Sequence, residues 1–292
     1  MTRADGPTSP PPFERIAIVG FGLLGGSVGL AVRQRWPSAL VIAVDRRDVV
    51  ERAMRMHAAD VGGEDLGLAG DAQLIVLAAP VRANHDILVQ LKRYVTAEAI
   101  VTDVGSTKRE TVAAGRALPA TLQFIGGHPL AGAATRGVEA ARADLFAGRP
   151  WILTPDEPDS PAVSRLTAML EGIGAIVRIL TPDAHDRLVA YLSHLPQLVA
   201  SALMHVVGSH AGADGLSMAG RGLKDTTRLS GSAGELWTDI VATNRDHIGE
   251  AVDELVAVLL RLKTDAPDHE VTSLFESSAR WKRVLDGYFE GR

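Results

Sequence analysis

The chain has 292 residues, 46% hydrophobic and 22% charged, with a formal net charge of −5. That length supports two domains with sizeable cores, and the mild acidity argues against a nucleic-acid or anionic-membrane surface. The absence of cysteine excludes disulfides, zinc–thiolate sites and cysteine nucleophiles. No apolar run approaches the roughly 18 residues that span a bilayer. The first residues, MTRADGPTSPPP, lack the apolar stretch of a signal peptide. The expectation is a soluble, cytoplasmic protein with a disordered tail over residues 1–13.

Arg15 to Val19 is a short apolar run that ends on Gly20-Phe21-Gly22-Leu23-Leu24-Gly25. Helical spacing of small and apolar residues then continues through Val28, Leu30, Ala31 and Val32. A strand, G-x-G-x-x-G and a helix in succession form a dinucleotide-binding signature. Gly20 permits the tight turn, Gly22 lets a pyrophosphate approach the backbone, and Gly25 lets helix and sheet pack closely. The free N–H groups at the helix start, around Leu23 and Leu24, favour phosphate. A second strand, Leu40 to Asp45, ends on a carboxylate 20 residues after Gly25. At that distance an acidic side chain meets the adenosine ribose hydroxyls and favours NAD. Arg46 and Arg47 follow directly and could accept a 2′-phosphate, which leaves NADP open.

Further strands are expected at Gln73–Ala79, Ala99–Asp103 and Leu122–Ile125, separated by helices around 48–58, 82–94 and 108–117. This alternation predicts a doubly wound parallel sheet, whose ligands sit beyond the carboxyl ends of the strands. Three segments fall at those ends: Ala78-Ala79-Pro80, Asp103 to Lys108, and Gly126-Gly127-His128-Pro129-Leu130-Ala131-Gly132. All three are expected to face the cofactor, which puts Ser106 and His128 near the nicotinamide. His128 is the candidate proton acceptor, since an unperturbed imidazole titrates near 6.5. The plain alternative is a tight turn carrying a solvated histidine.

Pro150–Pro155 and Ala175–Leu180 read as two more strands around a helix over 160–172, completing a first domain at residue 180. From Pro182 the patterns are helical: one long helix over 183–208 interrupted by Pro196, a glycine-rich stretch over 211–234, and helices over 237–263 and 269–289. Ser193-His194-Leu195-Pro196 places a histidine beside a helix-breaking proline, where an ordinary interior histidine is the alternative. Gly222 to Arg228 gathers Lys224, Asp225, Thr226, Thr227 and Arg228. Arg228 is a candidate carboxylate clamp; a solvated helix end with an internal ion pair is the alternative. Trp237 reads by itself as core.

Taken together, GFGLLGGS, DVGSTK at 103–108, GGHPLAG at 126–132, SHLP at 193–196 and GLKDTTR…W at 222–237 resemble the prephenate/arogenate dehydrogenase family of tyrosine biosynthesis. They occur in the family's order and cover about residues 14 to 265. The resemblance implies an N-terminal Rossmann-type domain (14–180) and an all-α C-terminal domain (181–292) that binds substrate and forms a homodimer. It implies NAD-dependent oxidative decarboxylation of prephenate, or of arogenate. The family's catalytic histidine falls on His128 and its partner serine on Ser106. Substrate-lining positions fall on His194, Arg228, Asp225 and Trp237. The cofactor is assigned to Gly20, Gly22, Leu23, Leu24, Gly25, Asp45, Arg46, Ala79, Pro80 and Ser106. No metal is implied, and a fused mutase or regulatory domain is not expected.

One departure stands out. The family usually has a glutamate after HP-x-A-G, where this chain has Ala133-Ala134-Thr135-Arg136, so a redirected enzyme acting on an amino-substituted prephenate stays a rival. Dehydrogenases of 3-hydroxyacids and imine reductases share the architecture but do not explain GGHPLAG together with SHLP. A non-catalytic NAD-binding regulator would need no proton acceptor.

Overall fold

The computed structural model describes residues 10–132, 135, 137–263 and 266–289. Its centre is an eight-stranded sheet in the order β3-β2-β1-β4-β5-β6-β7-β8. The strands are β1 (Arg15–Val19), β2 (Leu40–Val44), β3 (Val61–Gly63), β4 (Leu74–Leu77), β5 (Ala99–Asp103), β6 (Leu122–Pro129), β7 (Pro150–Thr154) and β8 (Ile176–Ile179). Side chains on a strand alternate between faces, and both faces here are apolar. Ile16 and Ile18 enter one core layer with Leu74 and Val76. Ala17 and Val19 enter the other with Ile75 and Leu77. Continuous apolar runs of this kind suit a sheet covered on both sides by helices. Those helices are α1 (Leu23–Arg35), α2 (Arg47–Arg55), α3 (Val81–Leu91), α4 (Arg109–Gly115) and α5 (Pro161–Gly172).

Strand order reverses between β1 and β4, so the loops leaving those two strands diverge and open a crevice. Edge strand β3 was not anticipated: Val61-Gly62-Gly63 is too short and glycine-rich to show a strand pattern.

The sheet departs from the expected all-parallel arrangement at one point. β6 runs parallel to β5 over Leu122–Ile125, then pairs antiparallel with β7 over Gly126–Pro129. The connection from Leu130 to Arg149 holds only a short 3-10 turn, Val138–Ala140, among its described residues. Without a crossover helix the chain doubles back. The glycine–histidine stretch, expected as a loop beyond Ile125, is therefore the continuation of β6, and His128 faces Ile152 across the ladder. Phe13, assigned to a disordered tail from the sequence, is fully buried. Arg165 stacks over its ring and donates to the Pro12 carbonyl at 2.7 Å. Residues 1–9 lie outside the described residues.

The second half is helical: α6 (Pro182–Val189), a π-helical stretch Ala190–His194, α7 (Leu195–Leu216), α8 (Arg221–Thr226), a 3-10 turn Arg228–Gly231, α9 (Gly234–Thr243), α10 (Arg245–Lys263) and α11 (Asp268–Gly287). The single helix expected over 183–208 is widened at 190–194. Pro196 cannot donate a backbone hydrogen bond to the preceding turn, and a π-type widening absorbs the missing bond. The span 211–234, expected as loops with one short helix, begins with the end of α7 and has a non-helical Gly212. The helix expected over 237–263 is broken at Asn244, whose backbone is non-helical. Ala190, Ile240 and Ile248, with Trp237 and Tyr191 against them, form a small separate core.

Candidate active site

The crevice at the strand reversal is lined by Gly20, Gly22, Asp45, Arg46, Ala79 and Pro80. Its glycines differ in what they do. Gly20 has φ +90°, and a Cβ there would lie 2.5 Å from the Ala79 nitrogen. At Gly25 a Cβ would collide with the Gly20 carbonyl, so helix and turn touch only because Gly25 lacks a side chain. Gly22 faces open space, with nothing within 4 Å of a built Cβ. α1 begins just beyond with no side-chain cap and no acidic residue in its first turn. Its first N–H groups, at Leu23 and Leu24, are thus left for an anion. Asp45 accepts from the Phe21 nitrogen at 2.6 Å and the Arg46 nitrogen at 2.7 Å, which fixes its carboxylate on the crevice wall. The open side of Gly22, the uncapped helix start and the fixed carboxylate fit a dinucleotide. Gly22→Val is expected to leave thermal stability nearly unchanged while weakening NAD+ binding about tenfold or more, roughly 1.4 kcal/mol. A fluorescence titration beside a melting curve checks both.

His128 lies at the same carboxyl edge of the sheet and is buried. Its Nδ1 is 2.8 Å from Nε2 of His185. Nδ1 of His185 is in turn 2.8 Å from Oδ1 of Asp186, and both of these α6 residues are fully buried. Asp186 also accepts the backbone N–H groups of Lys108 at 2.7 Å and Arg109 at 2.9 Å. It thereby caps α4, which has no side-chain cap of its own. Burial, then the neighbouring His185, Lys108 and His194, hold His128 well below its ordinary 6.5.

The strand position of His128 has its own support. Gly127 donates to Asp103 Oδ1 at 3.0 Å and accepts from Lys108 Nζ at 2.8 Å. Lys108 and Asp103 form a fully buried ion pair. Where β6 leaves β5, Gly127 loses its ladder partners on that side, and this pair replaces them. A Cβ on Gly127 would come within 2.5 Å of the Asp103 carbonyl, so the close approach needs glycine.

Ser106 is half-buried beside this site, but the partner of His128 Nδ1 is His185 rather than Ser106. On the helical side, His194 is buried, with Nδ1 3.3 Å from Asn244 Nδ2 and its ring edge-on to Trp237. Nε2 of His194 has no hydrogen-bond partner among the described residues, and burial lowers this imidazole to about 4. Gln197, one turn on, donates to the Leu229 carbonyl at 2.8 Å and accepts from Ser232 at 3.0 Å. The segment carrying Arg228 is thereby pinned to α7. Arg228 and Asp225 are exposed and form no ion pair among the described residues. Ala133, Ala134 and Arg136 lie outside the described residues.

Sequence reasoning singled out His128 but missed His185, Asp186 and Asn244, and it quoted Lys108 and Asp103 without a role. Asp183-Ala184-His185-Asp186 reads as an ordinary polar first turn after Pro182. Asn244 falls inside the span expected as one helix, 237–263. Only folding brings them to His128.

A dinucleotide crevice at the reversal of a doubly wound sheet, with a buried imidazole on the same carboxyl edge, defines a nicotinamide-dependent oxidoreductase. Residues 28–185 match the family described as prephenate dehydrogenase, nucleotide-binding domain, and residues 181–278 match its dimerization domain. The chain is 32% identical to a prephenate dehydrogenase of Bacillus subtilis over 94% of its length and 76% of that protein's. It superposes on prephenate dehydrogenase of A. aeolicus, solved with hydroxyphenyl propionate and NAD+, with a TM-score of 0.85 at 27% identity, covering 93% of this chain and 98% of that one. For Synechocystis arogenate dehydrogenase the TM-score is 0.78 at 31% identity, with 94% and 99% covered. The chain belongs to the prephenate dehydrogenase family and is an NAD-dependent dehydrogenase.

Proposed function

We propose that this enzyme oxidises prephenate, a cyclohexadienol with a ring carboxylate and a 4-hydroxyl, to 4-hydroxyphenylpyruvate and CO2 in tyrosine biosynthesis. The observation that carries the reading is a buried imidazole, with Nε2 unpartnered among the described residues, on the carboxyl edge of the same sheet at which the dinucleotide crevice opens. Bound NAD+ supplies the hydride acceptor. Gly20, Gly22, Leu23, Leu24 and Gly25 hold its pyrophosphate, Asp45 its ribose, and Ala79, Pro80 and Ser106 the nicotinamide side. His128 takes the 4-hydroxyl proton as the hydride leaves C4. Release of CO2 then sends an electron pair into the ring, the proton returns to the phenol oxygen, and aromatisation makes the step effectively irreversible.

Arg228 holds the ring carboxylate, while His194, Asp225 and Trp237 line the pocket. Arg228→Gln is expected to raise KM for the substrate about tenfold to a hundredfold, the worth of a charge-assisted bond of roughly 1.5–3 kcal/mol. Its effect on kcat should be smaller; steady-state kinetics separate the two.

The reading places the nucleotide-binding unit at 14–180, after a terminal segment over 1–13, and the substrate and dimerisation unit at 181–292, in a cytoplasmic homodimer. α11 has no buried residue; Phe275 and Trp281 are exposed along it, and Tyr288 and Phe289 are exposed just beyond its end. A second copy of the chain is the natural cover for such a face. Among the described residues, no helix is long and apolar enough to cross a membrane.

The deciding experiment is nicotinamide reduction by purified protein, with prephenate and arogenate each offered with NAD+ and NADP+. Turnover of prephenate with NAD+ supports the proposal. Turnover of arogenate alone would move the substrate to the form whose side chain carries an amine in place of the carbonyl, a reading favoured by the likeness to an arogenate dehydrogenase. Silence with both, in a protein that binds NAD+, would overturn it.

A further inference from the structure

We infer that His185 and Asp186 are positioning residues that fix which nitrogen of His128 is the base. The inference rests on the reaction proposed above. A carboxylate only accepts hydrogen bonds, so Asp186 Oδ1, at 2.8 Å, requires the proton of neutral His185 to sit on Nδ1. Nε2 of His185 is then a lone-pair acceptor. The contact of 2.8 Å between that atom and His128 Nδ1 requires His128 to be the donor. His128 therefore carries its proton on Nδ1, and its Nε2 presents an unprotonated lone pair.

The orientation is as determined as the tautomer. Asp186 is itself held by the backbone N–H groups of Lys108 and Arg109. Asn244 donates to the Asp186 carbonyl at 2.8 Å. The carboxylate cannot rotate away without uncapping α4. A chain of contacts therefore runs from the start of the helical half, through Asp186 and His185, to the last turn of β6. When His128 Nε2 takes a proton, the imidazolium can share its Nδ1 proton with His185, whose own Nδ1–H faces a carboxylate. The positive charge that develops in the base is thus spread toward Asp186 rather than left isolated in a buried site. Other charged or titratable groups near His128 are Lys108, paired with Asp103, and His194. Neither is hydrogen-bonded to the His128 ring.

Two measurements on the full-length protein test this. The first is the tautomer of His128 in the protein without substrate, read from two-bond proton–nitrogen correlations of 15N-histidine-labelled protein and assigned by loss of the signal in His128→Asn. A protonated Nδ1 and bare Nε2 are expected, and a protonated Nε2 would overturn the inference. The second is kinetics of His185→Ala and His185→Gln. His185→Ala is expected to lower kcat about tenfold to a hundredfold, a part of the 10²–10⁴ that a positioned base supplies, with KM within about twofold. His185→Gln, whose amide oxygen can accept from His128 Nδ1 and whose NH2 can donate to Asp186, should recover most of that loss. A purely structural role predicts neither the tautomer change nor the rescue. If His185→Ala does not fold, the wild-type spectrum and His185→Gln decide by the same criteria. Wild-type kcat in His185→Ala would sink the proposal. Failure of the wild type to reduce NAD+ with prephenate would instead count against the substrate reading, and the spectrum, which needs no substrate, would still decide the proton arrangement.

Discussion

His128→Asn should lower kcat roughly 10²- to 10⁴-fold, the range a positioned general base contributes, while leaving KM for the ring substrate and Kd for NAD+ nearly unchanged. Asn keeps a side-chain donor at the distance of Nδ1 and so can still engage His185, but it has no second nitrogen to receive a proton. The loss should therefore fall on the transition state and not on ground-state binding. The pH profile of the unaltered enzyme gives the complementary result. Burial depresses His128 far below 6.5, with His185, Lys108 and His194 adding to the effect. A base works only when neutral, so activity is full above the folded-state pKa and falls as pH drops through it. The acid limb of kcat/KM assigned to His128 should therefore sit below 6.5, lower than the ordinary histidine range expected from the sequence. An acid limb at or above 6.5, or wild-type kcat in His128→Asn, would remove His128 from the role of base.

Lys108→Met should cost roughly 3–5 kcal/mol of folding stability, the penalty for leaving one member of a buried ion pair without its partner. Both members are fully buried, and the pair also carries the two backbone groups of Gly127. Burial lowers the Lys108 pKa while Asp103 opposes that shift, which is the balance of a pair that cannot lose either charge alone. Adding Asp103→Asn to Lys108→Met should return part of the stability, because the stranded carboxylate is gone while a group able to accept from Gly127 remains. Urea unfolding of the two variants checks this. A loss under about 1 kcal/mol in Lys108→Met would mean that solvent reaches Asp103.

The strand, glycine turn and helix at residues 15–35 were legible because they depend on local quantities: a short continuous apolar run, helical spacing, and the left-handed backbone required at Gly20. The same holds for the parallel order through β5 and for the switch from alternating to helical patterns near Pro182. The widening at Ala190–His194 was half legible. Pro196 announced that the helix could not continue unchanged, but a missing N–H is compatible with a kink, a break or a π stretch, and packing of the helical core selects among them.

The antiparallel return of β7 had no local sign, since Trp151-Ile152-Leu153 is as apolar as a parallel strand. The surroundings of His128 were equally silent. His185 and Asp186 lie 57 and 58 residues further along the chain, and a histidine followed by an aspartate in a polar first turn has no spacing that distinguishes it from a solvated helix end. The sequence by itself determined the dinucleotide crevice, the two-part chain and the presence of an imidazole at the strand ends, because each follows from neighbours along the chain. Tertiary structure alone decided that this imidazole is a buried strand residue, braced behind by the Asp103–Lys108 pair and hydrogen-bonded in front to His185. The His185 contact joins groups that meet only when the helical half packs on the sheet, and burial there changes both the proton affinity and the hydrogen-bonding partner of the ring.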